Sequence, residues 1–181
     1  MSADGCEVTL DPDTAHRSLS LSDGNRKVTR VRKDQPCPDH PERFDYSDQV
    51  MCREGLSGRC YWEAEWSGSE VHIAVAYKSI KRKGMSADCG FGRNDKSWRL
   101  ECCGNSYSAG HNNNKSAIRT PSSRSSRVGV YLDWQAGTLS FFSVSSDTLT
   151  LLHTFQSTFT EPLYPGFYVN LDSSVSLCQI T

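Results

Sequence analysis

The sequence predicts an all-β protein, a sandwich of two antiparallel sheets in a single domain, and three observations carry this. Arg127–Trp134 and Thr138–Val144 are β-rich runs joined by Gln135-Ala136-Gly137. Val128, Val130, Leu132 and Trp134 fall on one face at period two, Leu139 and Phe141 alternate with Ser140 and Phe142, and a short loop with glycine suits a hairpin. No long window carries apolar residues at the three-and-four spacing of a helix, whereas short alternating runs recur between glycine turns. At 181 residues the chain suits one domain with a sizeable core.

The elements follow in order. Residues 1–5 read as a linker remnant of a longer protein, with domain-like sequence from about Cys6. In Leu10–His16, Asp11 can cap and Pro12 suits a first helical position, which predicts a single helical turn. Ser18–Ser22 and Lys27–Arg32 alternate around Asp23-Gly24-Asn25 and predict a hairpin. Lys33–Asp48, with Pro36, Pro38 and Pro41, is a long surface loop. Gly58–Trp66 alternates with Cys60, Trp62, Ala64 and Trp66 on one face. Val71–Tyr77 is apolar or small on both faces apart from His72, as a central strand should be. Lys78–Arg93 is loop. Trp98–Cys102 and Ser106–Ala109 are short strands around Gly104-Asn105. Gly110–Arg127 is polar and reads as a mobile stretch, the most promising place to seek a partner. Leu149–Phe155, Leu163–Val169 and Ser174–Ile180 supply the last strands.

Composition excludes several function classes. A formal net charge of -1, from 20 basic and 21 acidic residues, provides no general attraction for nucleic acid or anionic membrane. No apolar run approaches the length of a membrane span, and Met1–Gly5 lacks the features of a signal peptide. Eight cysteines could furnish disulfides, but a chain with this many core residues does not need them, so free thiols are the first reading. Adjacent Cys102 and Cys103 should point to opposite faces, one buried and one outward.

The motifs with possible chemistry are weak. Cys37-Pro-Asp-His40, with Cys52 and Cys60, is the nearest approach to zinc spacing, and no metal or cofactor is expected. Gly110–Ser116 is too short for a phosphate loop and has Asn114 where glycine should precede the lysine. Asn114-Lys115-Ser116 is a glycosylation sequon, relevant only in a secretory setting. No nucleophile elbow accompanies the histidines, and Glu63 and Glu65 read as solvated strand residues, so the chain is not expected to be an enzyme. Lys81-Arg82-Lys83 reads as a solvated basic patch. An imidazole in an apolar strand either pairs internally or faces a pocket, so His72 is a candidate for either role. Tyr46, Phe91, Trp98, Tyr107, Phe155 and Phe159, in or beside loops, divide between core and binding anchors in a way the sequence does not sort.

Leu10–His16, Pro41–Phe44, Gly58–Glu65, Arg127–Gly137 and Glu161–Pro165 together, in this order, resemble the PRY/SPRY domain family across nearly the whole chain. The wording of Tyr61–Lys83 and Arg127–Ile180 is similar to the fish versions that end NOD-like receptors, tripartite-motif ubiquitin ligases and stonefish-type toxin subunits. The resemblance implies a bent two-sheet sandwich, a PRY portion of about 6–52 and a SPRY portion of about 53–181. It implies protein binding through variable loops. Phe159 matches a loop aromatic that anchors an antibody ligand in a tripartite-motif relative, and His72 a pocket histidine of phosphoantigen-sensing butyrophilins. Val71 and Lys78 depart from the usual Trp and acidic residue, and Phe91–Trp98 expands a shorter family motif, so neither known ligand is expected.

The expected function is therefore non-enzymatic recognition of a partner protein, at the end of a cytoplasmic innate-immune receptor or ubiquitin ligase. Loops 33–48, 78–96, 104–127 and 153–162 would converge on one face. Its candidate residues are Tyr46, His72, Lys78, Lys81, Trp98, Tyr107, His111 and Phe159. Phe159→Ala and Trp98→Ala are expected to weaken capture without unfolding. No nucleic acid or membrane insertion is expected, and oligomerisation would come from other parts of a longer chain. Alternatives are the C-terminal domain of a secreted pore-forming toxin subunit, favoured by disulfides or a glycan at Asn114, and a small-molecule or glycan-binding sandwich using His72.

Overall fold

A computed structural model describes residues 5–122 and 124–180; most of the segment 1–5 assigned to a linker lies outside them. Two antiparallel sheets face each other. The first has the order β1 (Leu19–Ser22), β2 (Lys27–Arg30), β13 (Ser174–Leu177), β4 (Arg59–Ser67), β9 (Arg127–Asp133), β10 (Thr138–Ser145) and β11 (Thr148–Gln156). The second has the order β3 (Gln49–Met51), β12 (Leu163–Val169), β5 (Glu70–Tyr77), β6 (Ser97–Cys103), β7 (Ser106–His111) and β8 (Asn114–Ile118). This is the all-β sandwich that the alternation predicted. No helix among the described residues is long and apolar enough to cross a membrane.

Alternating residues of both sheets meet in one core. Trp62 and Ala64 of β4, Val128, Val130 and Leu132 of β9, and Leu139 and Phe141 of β10 face Ile73, Val75, Trp98, Leu100 and Phe167 of the other sheet. Each large apolar side chain removed from water in this way contributes about 1.5–3 kcal/mol. β5 is buried on both faces because a second cluster, Phe44, Met51, Ala74, Ala76, Ile80 and Phe91, lies on the opposite side. Its cover comes from loops, which explains the near-continuous apolar run in that strand.

The hairpin of β9 and β10 closes at Gly137, whose φ is +76° and whose added Cβ would lie 2.1 Å from the Ser157 carbonyl oxygen. Only glycine fits there. A bulge between Phe141 and Phe142 shifts the register of β10 against β11.

Leu10–His16 forms the single turn its sequence predicts, closed by Thr14 N–H to the Asp11 carbonyl (3.1 Å), with the Asp11 carboxylate accepting from Asp13 N–H (3.0 Å). Three expectations need correction. The polar Gly110–Arg127 stretch contains β8, reached through a two-residue turn at Asn112 and Asn113 with φ of 52° and 62°. Asparagine tolerates this conformation better than most residues, so the run of asparagines is a hairpin signal. Between β5 and β6, Ala87–Cys89 forms a short 3-10 helix where only loop was expected. The free-thiol reading fails at Cys6 and Cys60, which are disulfide-bonded with Cα atoms 5.5 Å apart. Gly5 bridges Tyr61 in parallel, and Cys6 N–H bonds the Tyr61 carbonyl at 2.9 Å, which lays the N-terminal segment beside β4. Cys37, Cys52, Cys89, Cys102, Cys103 and Cys178 are free, with Cys102 buried and Cys103 exposed as their alternation required.

Candidate functional site

At one end of the sandwich the loops rest on a layer of rings. Trp98 of β6 lies directly opposite His111 of β7 in the strand register. Opposed residues share a face, and the two rings stack with centroids 4.5 Å apart. The Ser97 carbonyl lies 2.8 Å from His111 Nδ1 and fixes the imidazole. Tyr77 and Phe159 meet Trp98 edge-on at 5.4 and 5.1 Å. Phe155 completes the layer, 6.3 Å from His111 and 4.4 Å from His153. Trp98, Tyr77 and Phe159 are buried, while His111, His153 and Phe155 are half-buried and form the outer surface of the layer. Burial holds the His153 imidazole toward its neutral form.

The loops above are tied to this layer and to one another. The loop after β11 is held by Thr160 N–H to Tyr77 Oη (3.1 Å), Trp134 Nε1–H to the Glu161 carbonyl (2.8 Å) and Ser79 Oγ to the Glu161 carboxylate (3.0 Å). Buried Arg82 donates to the carbonyls of Glu42 (2.7 Å), Lys78 (2.8 Å) and Ile80 (3.1 Å), and its guanidinium lies 5.2 Å from the Phe44 ring. It joins loop 31–48 to loop 78–96. Lys83 adds bonds to the carbonyls of His40 and Arg43, and Gly84 N–H bonds the Asp45 carboxylate at 2.7 Å. Asn94 side-chain N–H groups hold the carbonyls of Ala87 and Gly90, while its own carbonyl accepts from Asn112 N–H at 2.9 Å. The β7–β8 turn thus joins the same platform. Its exposed surface carries Tyr46 at 58% and Met85 at 71% exposure, with Lys78 near Glu42 (3.7 Å) and Lys81 near Asp88 (3.8 Å).

Of the candidate residues, the structure brings Tyr46, Lys78, Lys81, Trp98, His111 and Phe159 to this end. Trp98 and Phe159 are buried, which makes them packing residues beneath the surface rather than exposed anchors. Tyr107 is buried at the other end of β7, with its hydroxyl 3.2 Å from the Ser125 carbonyl. His72 lies on the opposite face of its sheet from Trp98, because Val75 and not His72 shares that face. There it bonds Glu70 at 2.6 Å and packs on Tyr168 at 4.5 Å.

Sequence reasoning missed Arg82, Asn94 and His153. Lys81-Arg82-Lys83 has the composition of a solvated patch, but Arg82 is 8% exposed and burial lowers its pKa. Nothing in the local sequence marks it; only the carbonyls gathered by folding explain a buried guanidinium.

The remaining chemistry is structural in character. Glu70, His72 and Glu101 offer ligand atoms within 4.8 Å of one another. Glu101 is already paired with Arg99 (3.2 Å) and Lys115 (3.0 Å), whose fixed positive charges oppose a divalent cation. The Cys37–His40 set is not assembled, since Cys60 is bonded to Cys6 and Cys52 is buried. His16, Ser18 and Asp48 form a hydrogen-bonded trio, but Ser18 is 2% exposed and Asp48 also pairs with Arg30 at 3.2 Å. That buries the hydroxyl away from any substrate.

Comparison with known proteins gives consistent matches. The SPRY-associated domain model (PRY) matches residues 8–56, and the SPRY domain model matches residues 59–180. Stonustoxin subunit beta of Synanceia horrida is 48% identical over 165 residues, which are 91% of this chain and 23% of that protein. Tripartite motif-containing protein 16 of Mus musculus is 36% identical over 167 residues, 91% of this chain and 30% of that protein. The crystal structure of the TRIM65 PSpry domain superposes with a TM-score of 0.86 at 30% identity, covering 96% of this chain and 90% of that one. This chain therefore spans about a quarter of the length of the toxin subunit it matches.

Proposed function

The chain belongs to the PRY/SPRY family, and from that premise we propose that it is a non-enzymatic protein-recognition module that takes a partner protein on the loop platform above Trp98. The observation that carries this reading is the buried Arg82, which holds its own loop through the carbonyls of Lys78 and Ile80 and ties it to loop 31–48 through the carbonyl of Glu42. Rigid loops lose little entropy on binding, so such a platform recognises a partner through preset shape. Half-buried His111, His153 and Phe155 supply an apolar, ring-rich centre, and Tyr46, Lys78 and Lys81 supply the rim. In this reading the domain is the ligand- or substrate-recognition end of a cytoplasmic innate-immune receptor or ubiquitin ligase. Ubiquitin transfer itself would need a RING domain.

The test is capture by variants that keep the fold. His111→Ala, His153→Ala and Lys78→Glu should lose a captured partner, while Ser106→Ala at the opposite end retains it. Equal capture by all four proteins sinks the reading.

A second reading has its own support. The Cys6–Cys60 disulfide suits an oxidising compartment and favours the C-terminal domain of a secreted toxin subunit. Alkylation of protein taken directly from its native source, followed by mass spectrometry, decides between them. An oxidised pair favours the secreted reading, and a reduced pair the cytoplasmic one.

A further inference from the structure

A second depression lies at the other end of the same strands. From Trp98 to Cys103 is five residues, roughly 17 Å at strand rise. There the Gly104-Asn105 turn, the end of β4 at Trp66, Tyr107 and the segment entering β9 enclose a cleft of about 250 Å³. Its frame is held by hydrogen bonds: Trp66 N–H to the Ser126 carbonyl (2.9 Å), Tyr107 Oη to the Ser125 carbonyl (3.2 Å) and Arg127 N–H to Ser125 Oγ (3.1 Å). Ser125 Oγ in turn bonds the Val144 carbonyl.

The lining chemistry is one-sided. It has two aromatic rings, Trp66 and Tyr107, one cation, Arg124, and neutral polar groups including Asn105, Thr120 and Ser126, with no carboxylate. Arg124 is exposed and makes no ion pair or hydrogen bond with a described residue. From His111 to Arg127 the chain carries Lys115, Arg119, Arg124 and Arg127 and no Asp or Glu. Glu65, which precedes Trp66 in β4, accepts from Ser126 Oγ at 3.4 Å and is paired with Arg127 at 3.6 Å. Trp66 and Tyr107 are each 8% exposed and present only their edges to the cleft. This composition favours an anion attached to a small apolar body: the guanidinium pairs the charge in two-pronged fashion and the ring edges flank the body. Pockets for drug-sized ligands measure about 300–1,000 Å³, so a cleft of about 250 Å³ has room for a smaller body such as one ring and one headgroup.

We propose that the cleft of Trp66, Tyr107 and Arg124 is a binding site for a small aryl anion, an aryl phosphate or carboxylate, separate from the loop platform. The source is either a free small molecule or one modified side chain of a peptide, and the chemistry is shared.

The test uses the indole N–H signals of the ¹⁵N-labelled protein, with Trp66 assigned by Trp66→Phe. Phenyl phosphate should shift the Trp66 signal saturably and leave Trp98 unmoved. Inorganic phosphate alone and benzyl alcohol alone should bind at least tenfold more weakly. Arg124→Gln, a change at an exposed position, should weaken phenyl phosphate at least tenfold without altering thermal unfolding. A phosphotyrosyl peptide that binds more tightly than phenyl phosphate assigns the cleft to a peptide side chain, and one that binds equally or less tightly assigns it to a free molecule. Absence of a saturable Trp66 shift, or an unchanged response in Arg124→Gln, overturns the proposal.

Discussion

Trp98 and His111 stack face to face across β6 and β7, with ring planes within 5° of parallel. One ring is 2% exposed and the other is half-buried, so the pair conducts packing from the core to the surface of the platform.

That division predicts opposite outcomes for neighbouring substitutions. Trp98→Ala and Phe159→Ala should each cost about 3–5 kcal/mol, as large buried aromatics do. His111→Ala should cost about 1 kcal/mol, the scale of a ring pair. Any loss of partner capture in Trp98→Ala or Phe159→Ala should then follow unfolding, contrary to the expectation that they act as surface anchors. Chemical denaturation of the three variants checks this, and near-native stability of Trp98→Ala would refute the burial argument.

Arg82 makes a separate prediction. Replacing it with Met keeps much of the volume but leaves the carbonyls of Glu42, Lys78 and Ile80 without their donor. The loss should be about 3 kcal/mol, given unsatisfied buried groups at about 1–3 kcal/mol each and partial access of water. Hydrogen exchange should quicken in residues 40–48 and 78–90 before it does in β4 or β9. Uniform acceleration across the chain would mean that Arg82 supports the whole fold and not the platform.

The fold was legible because its signals are local. Gly58–Trp66 and Arg127–Val144 alternate cleanly, since one face of each strand meets the core and the other meets water. β8 was not legible, because Asn114–Lys115–Ser116 lies on an exposed edge and no apolar pattern is required of it. β3 was hidden for the opposite reason: Gln49, Val50 and Met51 are all buried, so they show no alternation. At the site, exposure of an aromatic depends on residues distant in sequence. Trp98 is covered by Phe159 and His111, whereas Tyr46 is left 58% exposed, yet both stand beside loops. The disulfide likewise depends on Cys6 being carried to β4 over a sequence separation of 54.

The disulfide predicts a definite thiol count. After denaturation without reductant six thiols should react, and eight after reduction. In the folded protein Cys103 should react first, while burial raises the pKa of the Cys52 and Cys102 thiols and keeps them inert. Reduction should lower stability by about 2–4 kcal/mol, the span expected for closing a loop of this length less native strain. Eight reactive thiols in unreduced, denatured protein would remove the disulfide and with it the main support for the secreted reading.

The last prediction concerns pH. The hydrogen bond from His72 to Glu70 (2.6 Å) holds the Glu70 carboxyl below the usual carboxylate range. A carboxyl whose folded pKa lies below its unfolded value of about 4.3 contributes stability above that pH and loses it as pH falls through the folded pKa. His72→Phe removes the donor, so Glu70 should titrate closer to about 4.3. The stability gap between wild type and His72→Phe should accordingly be widest above about pH 4.3 and narrow toward pH 3. Carboxyl ¹³C titration of Glu70, alongside denaturation at several pH values, measures both effects. A gap that stays constant, or a Glu70 titration unmoved by the substitution, would show that His72 supports the sheet through its packing on Tyr168 and not through the carboxylate.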